Sequence, residues 1–443
     1  MAHLSIHDHA APSGPSSVPT ISLTGHAPAA AVRLEQSFLD DAGTLWRSQA
    51  QMYADVFGAL SSATSASQGG TYHGVDALGL CWSMQPSDIT PDMSLDDKYR
   101  RRPGIQPVFK DPHRPYDIDV KAFSGDTEIA QGRYVRQQIS PDVDVVPVSD
   151  NGLRGFFYAP KSPSTREGVI AISGSGGGYD WYWARHLASL GIPVLNLAYF
   201  QVPGLPDTLT RIPLEYFKAA IDWLKHKTSA DRVGIQGVSR GGEAVLLIGS
   251  TFAEDIACIV AQVPIHVKTG GFIPGTQTQV AAWTLDGKDL SFANTPVPTP
   301  ETCEQQGTDM SRGMPVAPFY LNNITNAEHD DDVWIPIEHA QAPMLLITGE
   351  DDAIWPCSHA ASRVIERLKK YHSNAQAEHL TFPGAGHILP PTGTITSLTT
   401  SMYHQHARLL IAVGGTPAVN AHAGAKAWAR NTDFLLEHLK AAW

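Results

Sequence analysis

Val233-Gly234-Ile235-Gln236-Gly237-Val238-Ser239-Arg240-Gly241-Gly242-Glu243-Ala244-Val245-Leu246-Leu247-Ile248 is the stretch that decides the fold. Its apolar start reads as a strand and its end as a helix. Between them Gly237-Val238-Ser239-Arg240-Gly241 forms a tight turn with a serine at the apex. In a chain with 38 glycines a Gly-x-Ser-x-Gly match alone says little. Its placement at a strand-to-helix turn says more, because that turn aims a hydroxyl outward for chemistry. The flanking glycines let strand and helix backbones approach and tolerate the strained backbone. An ordinary turn serine is the competing reading.

A serine hydroxyl is a poor nucleophile until a base takes its proton. The chain supplies an acid and then a histidine downstream, the order found in α/β-hydrolases. The run Met344 to Thr348 reads as a strand ending in Gly349-Glu350-Asp351-Asp352. A carboxylate there can bond an imidazole, fix its tautomer and stabilise its cation. Asp352 fits the Gly-x-x-Asp placement, with Asp351 as the alternative. Ala377 to Phe382 reads as a further strand, followed by Pro383-Gly384-Ala385-Gly386-His387. Among 19 histidines, His387 stands out by position and not by residue type; His359, His372, His379, His404 and His422 have weaker claims.

The anion formed by nucleophilic attack needs hydrogen-bond donors. The backbone N–H of Arg240 is one candidate. The loop Ser173-Gly174-Ser175-Gly176-Gly177-Gly178 supplies the second, through Ser175 and Gly176. A phosphate-binding reading of that loop lacks both the Gly-Lys-Ser/Thr of a P-loop and the Gly-x-Gly-x-x-Gly spacing. Glu243, one helical turn after Ser239, either orients loops near the site or serves structure alone. Trp181, Tyr182 and Trp183 are either core or the wall of an acyl pocket.

The surrounding texture agrees with this chemistry. Apolar runs at Val169–Ile172, Val194–Ala198, Val233–Ile235, Ile259–Val263 and Met344–Ile347 read as buried parallel strands. Leu214, Phe217, Ile221 and Leu224 sit at helical spacing after Pro213. We expect an α/β-hydrolase domain over 148–443, a mostly parallel sheet with helices on both faces, carrying an irregular insertion at about 268–335. That insertion either covers a substrate or is a passive surface excursion. Before it, Val32, Leu34 and Phe38 alternate with polar residues, Asp40-Asp41-Ala42-Gly43 turns the chain, and a second run follows from Leu45 to Tyr53. Tyr116, Ile118, Val120 and Ala122 alternate again. These predict a β-sandwich of immunoglobulin type over 19–147, although 45–60 also admits a helix. Residues 1–18, rich in Ala, Pro, Ser and His, read as a flexible tail.

A net charge of −12 argues against general nucleic-acid or anionic-membrane binding. The four cysteines lie in no metal-binding or disulfide spacing, so no metal and no cofactor are expected. With no visible secretory signal and no apolar run of membrane-spanning length, the expectation is a soluble cytoplasmic protein. The sequence leaves its oligomeric state open.

The second domain resembles the type-I acyl-CoA thioesterases and the bile acid-CoA:amino acid N-acyltransferases. The resemblance rests on Gly174-Ser175-Gly176-Gly177-Gly178, Leu197-Ala198-Tyr199, Pro213-Leu214-Glu215-Tyr216-Phe217 and Gly237-Val238-Ser239-Arg240-Gly241-Gly242-Glu243. Gly349-Glu350-Asp351-Asp352-Ala353-Ile354-Trp355 and Gly414-Gly415-Thr416-Pro417 continue it, and Leu78-Gly79-Leu80-Cys81-Trp82 is similar to a segment of that family's first domain. The resemblance implies a β-sandwich ahead of the hydrolase domain and a triad at Ser239, Asp352 and His387. It also implies serine where the family hydrolyses and cysteine where it conjugates amino acids. A serine acyl hydrolase acting on an acyl-CoA or other carrier thioester follows, with transfer to an amine or hydroxyl acceptor, or cyclisation, as the alternative. The insertion before Gly349 differs from the family pattern, so acyl identity does not carry over. The basic run Lys98, Arg100, Arg101 and Arg102 is either a CoA contact or a solvated turn.

Overall fold

Strict alternation makes Ala31–Leu39 and Leu45–Tyr53 an antiparallel hairpin, in register from Ala31 opposite Tyr53 to Leu39 opposite Leu45. The helical option for 45–60 therefore fails: the second run buries every other residue, Trp46, Ser48, Ala50 and Met52. The computed structural model describes residues 2–7, 15–90, 92–101, 106–180, 182–273, 278–404 and 409–441. Arg102 and Trp181 lie outside the described residues.

The chain forms two units. The first comprises Met1–Ser140 with Ile388–Tyr403 and Thr416–Lys426. Its hairpin belongs to a six-stranded antiparallel sheet that includes Tyr116–Ser124 and Thr127–Arg136, and His3–His7, Thr20–Thr24 and Leu60–Ser61 make a second sheet of three strands. Ile21 and Leu23 from one sheet meet Val32, Leu34, Met52 and Val120 from the other in a shared core, the expected sandwich. Two expectations need correction. The tail reading of 1–18 fails at His3–His7, where Leu4 and Ile6 alternate with polar neighbours and pack on the core; residues 8–14 lie outside the described residues. A single cut near residue 147 also fails. Stretches from the last 60 residues join the first unit through bonds such as Thr396 N to Trp82 O (3.1 Å) and Gln106 Nε2 to Ile395 O (2.8 Å).

The second unit comprises Pro141–His387, His404–Gly415 and Ala427–Trp443. Its sheet has eight strands: β1 (Val143–Val148), β2 (Arg154–Pro160), β3 (Val169–Ile172), β4 (Val194–Ala198), β5 (Val233–Val238), β6 (Ile256–Gln262), β7 (Met344–Gly349) and β8 (Ala377–Phe382). Their spatial order is β1-β2-β4-β3-β5-β6-β7-β8. The pairings β1-β2 and β2-β4 are antiparallel and every later pairing is parallel. This is the α/β-hydrolase arrangement, and it brings the carboxyl ends of β3 and β5 to β8 to one edge, where such sheets carry their sites. Strands β3, β4 and β6 are buried throughout, which accounts for their unbroken apolar runs.

Helices follow the strands as anticipated. α1 (Leu214–Thr228) starts after Pro213, buries Leu214, Phe217, Ala220, Ile221 and Leu224, and stops at Ser229, whose φ of 55° ends the turn. α2 (Arg240–Thr251) follows β5 directly, and α3 (Cys357–Lys370) precedes β8. The insertion is more ordered than its composition suggested. It contains the hairpin Gly270–Phe272 with Gln279–Ala281, the strand Trp283–Leu285 beside Ile212–Pro213, and a helix over Ala317–Ala327. Proline at the first turn of that helix and its many asparagines hid it from periodicity. No helix among the described residues is long and apolar enough to cross a membrane.

Candidate active site

The turn between β5 and α2 is strained where the sequence places its serine. Ser239 has φ 59° and ψ −119°, outside the ordinary regions for an L-residue. Holding it there costs about 1–3 kcal/mol, which the surroundings must offset. They do so by leaving no room for an alternative. A methyl group on Gly241 would lie 2.6 Å from the carbonyl oxygens of both Ile172 and Ser173, and one on Gly237 would lie 2.1 Å from Gly241 O. The turn is thereby pressed against the end of β3. Ser239 N donates to Gln262 O at 2.9 Å, which ties it to β6 as well.

Two loops supply the flanking groups. After β7, Asp352 is buried; its Oδ1 accepts from the N–H of Ile354 (2.9 Å) and Trp355 (3.2 Å), and its Oδ2 lies 2.6 Å from His387 Nδ1. The side chains of His387 and Asp352 are 5% and 2% exposed, so the bond between them is shielded from water. Asp351 points elsewhere. Its side chain is more than half exposed and accepts from Gly415 N at 2.9 Å. Of the two adjacent carboxylates only Asp352 meets the imidazole. The loops pack backbone on backbone: a methyl group on Gly386 would lie 2.3 Å from Gly414 O, so residue 386 must be glycine for His387 to reach Asp352.

His387 and the strained serine are linked through Trp355. The indole N–H of Trp355 donates to Val263 O (2.8 Å), next to the Gln262 that holds Ser239, and its ring meets the His387 ring edge-on at 6.2 Å. Ser239 Oγ makes no hydrogen bond to a described residue, His387 included. Cys357, at the start of α3, is buried beside Asp352, and burial pushes its thiol well up, so it stays neutral.

Opposite lies the glycine-rich loop after β3. Ser175 and Gly176 are exposed at its tip, and their N–H groups have no partner among the described residues. The loop abuts the serine: a methyl group on Gly174 would sit 3.2 Å from Ser239 Cβ and 3.7 Å from its Oγ. Tyr199, buried at the end of β4, fixes the loop by donating its hydroxyl toward Ser173 O (3.1 Å) and Gly174 O (3.4 Å). Burial raises the Tyr199 phenol far above its ordinary range, so it remains a donor. Arg240, the first helical residue, has an N–H without a partner inside the helix.

Glu243, ambiguous from sequence, is fully buried and accepts four hydrogen bonds. Trp355, Thr269, Trp283 and Lys268 are residues that sequence reasoning did not single out for the site. Trp355 alone carried a signal, since it closes the Gly349-to-Trp355 motif. The weaker histidine candidates lie apart: His379 bonds Thr348 Oγ1 (2.8 Å), His359 sits near Glu328, His372 occupies a turn after α3, and His422 pairs with Asp76 in the first unit. The side chain of His404 is outside the described residues. Lys98, Arg100 and Arg101 lie on a short helix in the first unit, where Arg100 pairs with Asp96, which suits a solvated charged turn. No cluster of side chains suited to a metal occurs among the described residues.

Comparison with known proteins adds relatives along the whole length. The family model "BAAT / Acyl-CoA thioester hydrolase C terminal" matches residues 212–441, and "Acyl-CoA thioester hydrolase/BAAT N-terminal region" matches 18–150. The chain is 26% identical over 427 residues to acyl-coenzyme A thioesterase 2, mitochondrial, of Mus musculus, covering 95% of this chain and 86% of that one. It is 26% identical to acyl-coenzyme A thioesterase 1 of the same organism, covering 95% and 93%, and 27% identical to the Homo sapiens thioesterase 2, covering 95% and 81%. A crystal structure of an esterase/lipase from an uncultured bacterium overlaps 79% of this chain and 94% of its own at TM-score 0.39 and 14% identity, too loosely to argue from.

Proposed function

Since this chain belongs to the BAAT/acyl-CoA thioester hydrolase family, we propose that it is a serine hydrolase that cleaves acyl-CoA thioesters through an acyl-serine intermediate. The observation that carries this reading is the buried 2.6 Å pair of His387 and Asp352 beside a serine held in a strained turn. In our reading His387 Nε2 takes the proton of Ser239, whose Oγ attacks the thioester carbonyl. The carbonyl oxygen becomes an anion facing the N–H groups of Arg240 and of Ser175 or Gly176. Asp352 holds Nδ1–H of the imidazole, so that Nε2 is the free base, and it steadies the imidazolium that forms. Collapse of the intermediate expels the thiolate, which takes the His387 proton on leaving. Water, deprotonated by the same nitrogen, then attacks the acyl-serine ester and releases the acid and Ser239.

Serine favours hydrolysis over transfer, because an oxygen ester beside water is readily cleaved whereas a thioester persists for an amine. We propose that the insertion over 268–335 covers the acyl chain. The cytoplasm is the compartment we propose: the four cysteines are free and buried, as reducing conditions leave them. Sedimentation of the tagged chain with organelles would contradict that. The function itself is tested by following free-thiol release from a panel of acyl-CoA and acyl-carrier thioesters, with Ser239→Ala as control. Equal rates in the variant would remove Ser239 from the mechanism. Products bearing an added amine or hydroxyl acceptor would turn the reading to transfer.

A further inference from the structure

Resting on that reading, we infer that Glu243 is a positioning residue whose buried carboxylate aligns both sides of the oxyanion site. It lies one helical turn after the nucleophile and is 0% exposed. Its Oε2 accepts from Arg240 Nη1 (2.7 Å) and Thr269 Oγ1 (2.7 Å), and its Oε1 from Trp283 Nε1 (2.7 Å) and Thr269 N (3.1 Å). Arg240 adds bonds from Nη2 to the carbonyls of Thr269 and Gly270, both 3.2 Å. A single carboxylate therefore gathers the side chain of Arg240 and two separate stretches of the insertion, at Thr269 and at Trp283.

Both oxyanion arms run through this junction. On one side, the guanidinium that Glu243 holds belongs to Arg240, the residue whose backbone N–H faces the anion; anchoring the side chain at both ends fixes how that peptide is turned. On the other side, Trp283, held by Glu243, stacks against Tyr199 at 6.0 Å, and Tyr199 donates to the carbonyls of Ser173 and Gly174 in the loop that carries the second donor. Burying an ion pair is a poor way to gain stability, because desolvation consumes most of the attraction. Its use is geometric. Six directional bonds set donor positions in a way apolar packing does not, and oxyanion donors are sensitive to small displacements.

The test compares wild type with Glu243→Gln, Thr269→Val and Trp283→Phe, each normalised to the sites that react with a fluorophosphonate. We expect Glu243→Gln to lower kcat for an acyl-CoA by about 10-fold to 100-fold with KM within about threefold. The midpoint of the pH–rate profile should stay put, since the His387–Asp352 pair is untouched. Trp283→Phe and Thr269→Val should each lower kcat by about 3-fold to 10-fold, and combining either with Glu243→Gln should add little. A purely structural role would show as fewer titratable sites or lower Tm with kcat per site unchanged, and that result overturns the inference. So does a rise in KM at constant kcat, or full additivity. If Glu243→Gln does not fold, the other two variants carry the same test. A wild-type protein that releases no thiol from any thioester counts instead against the function proposed above.

Discussion

Asp352→Asn is the sharpest probe of the site, because the hydrogen bonds around this carboxylate dictate how the amide must sit. Oδ1 accepts from two backbone donors, Ile354 N at 2.9 Å and Trp355 N at 3.2 Å. An asparagine keeps those bonds only with its carbonyl oxygen there, which turns its NH₂ toward His387 Nδ1, 2.6 Å away in the wild type. A donor facing Nδ1 forces the ring into the tautomer with its proton on Nε2, and that nitrogen then has no lone pair for the Ser239 proton. The imidazolium also loses its counter-charge where the ring is buried. The same exchange of tautomer in a serine triad costs about 10⁴ in kcat, or about 5 kcal/mol of transition-state stabilisation. We expect a fall of about 10³ to 10⁴ here, with KM within about threefold, because the loss falls on proton transfer in the transition state and not on ground-state binding. Thiol release from a saturating acyl-CoA, with stability checked by thermal melting, measures it. The neighbouring Asp351→Asn is the matched control: it alters an exposed carboxylate on Gly415 N and should change kcat by less than about threefold. A folded Asp352→Asn within tenfold of wild type, or an equal loss in Asp351→Asn, would refute the assignment.

Three further outcomes follow from packing and charge. Gly241→Ala drives a methyl group to 2.6 Å from two backbone carbonyls, so it should lower stability by about 2–3 kcal/mol in denaturant melts; a neutral effect would mean the turn is not pressed on β3. Lys268 is buried, which outweighs the pull of Glu243 and lowers its ammonium from 10.5 to about 8. The unfolded chain then holds this proton to higher pH than the folded one, so between pH 8 and 10.5 wild type should gain about 3 kcal/mol relative to Lys268→Met, and a pH-independent difference would contradict it. For Glu328, burial alone would raise the carboxyl, but bonds from His266 and Arg363 prevail and hold it down at about 2. Its contribution, up to about 3 kcal/mol, is present above pH 4.5 and is lost as pH falls through 2, so acid unfolding of Glu328→Gln should converge on wild type there; a gap that persists at pH 2 would rule this out.

The elements legible in the sequence are those whose local pattern and global role coincide. Strands β3 to β7 announced themselves as apolar runs because both faces of a parallel sheet are buried. Ser239 was legible because a nucleophile at a strand-to-helix turn needs glycines at fixed offsets, and neither Gly237 nor Gly241 has room for a side chain. The choice between Asp351 and Asp352 was legible only through the Gly-x-x-Asp placement that favours Asp352. Both follow the same strand, and their surroundings separate them in three dimensions, where one turns inward to His387 and the other outward to Gly415 N. His3–His7 was hidden by composition: in five residues, two apolar side chains at period two are outweighed by the Ala-, Pro- and Ser-rich stretch that follows.

The insertion was least legible, and its attachments to the site run in part through backbone groups that leave no mark in the sequence. Its beginning is held by Thr269 on Glu243, and the helix over Ala317–Ala327 is held by Val316 N and Ala317 N on Ala353 O at 2.8 and 3.0 Å, one residue beyond Asp352. Two of these three anchors are backbone donors, which any non-proline residue supplies. The side chains between these anchors are not needed to hold the insertion on Glu243 and on the loop after Asp352. On that argument, exchanging residues of 285–315 should move the preference among acyl chains while kcat for the preferred chain stays within about tenfold. Collapse of kcat for every chain length would mean that the insertion shapes the catalytic groups themselves through more than its anchors.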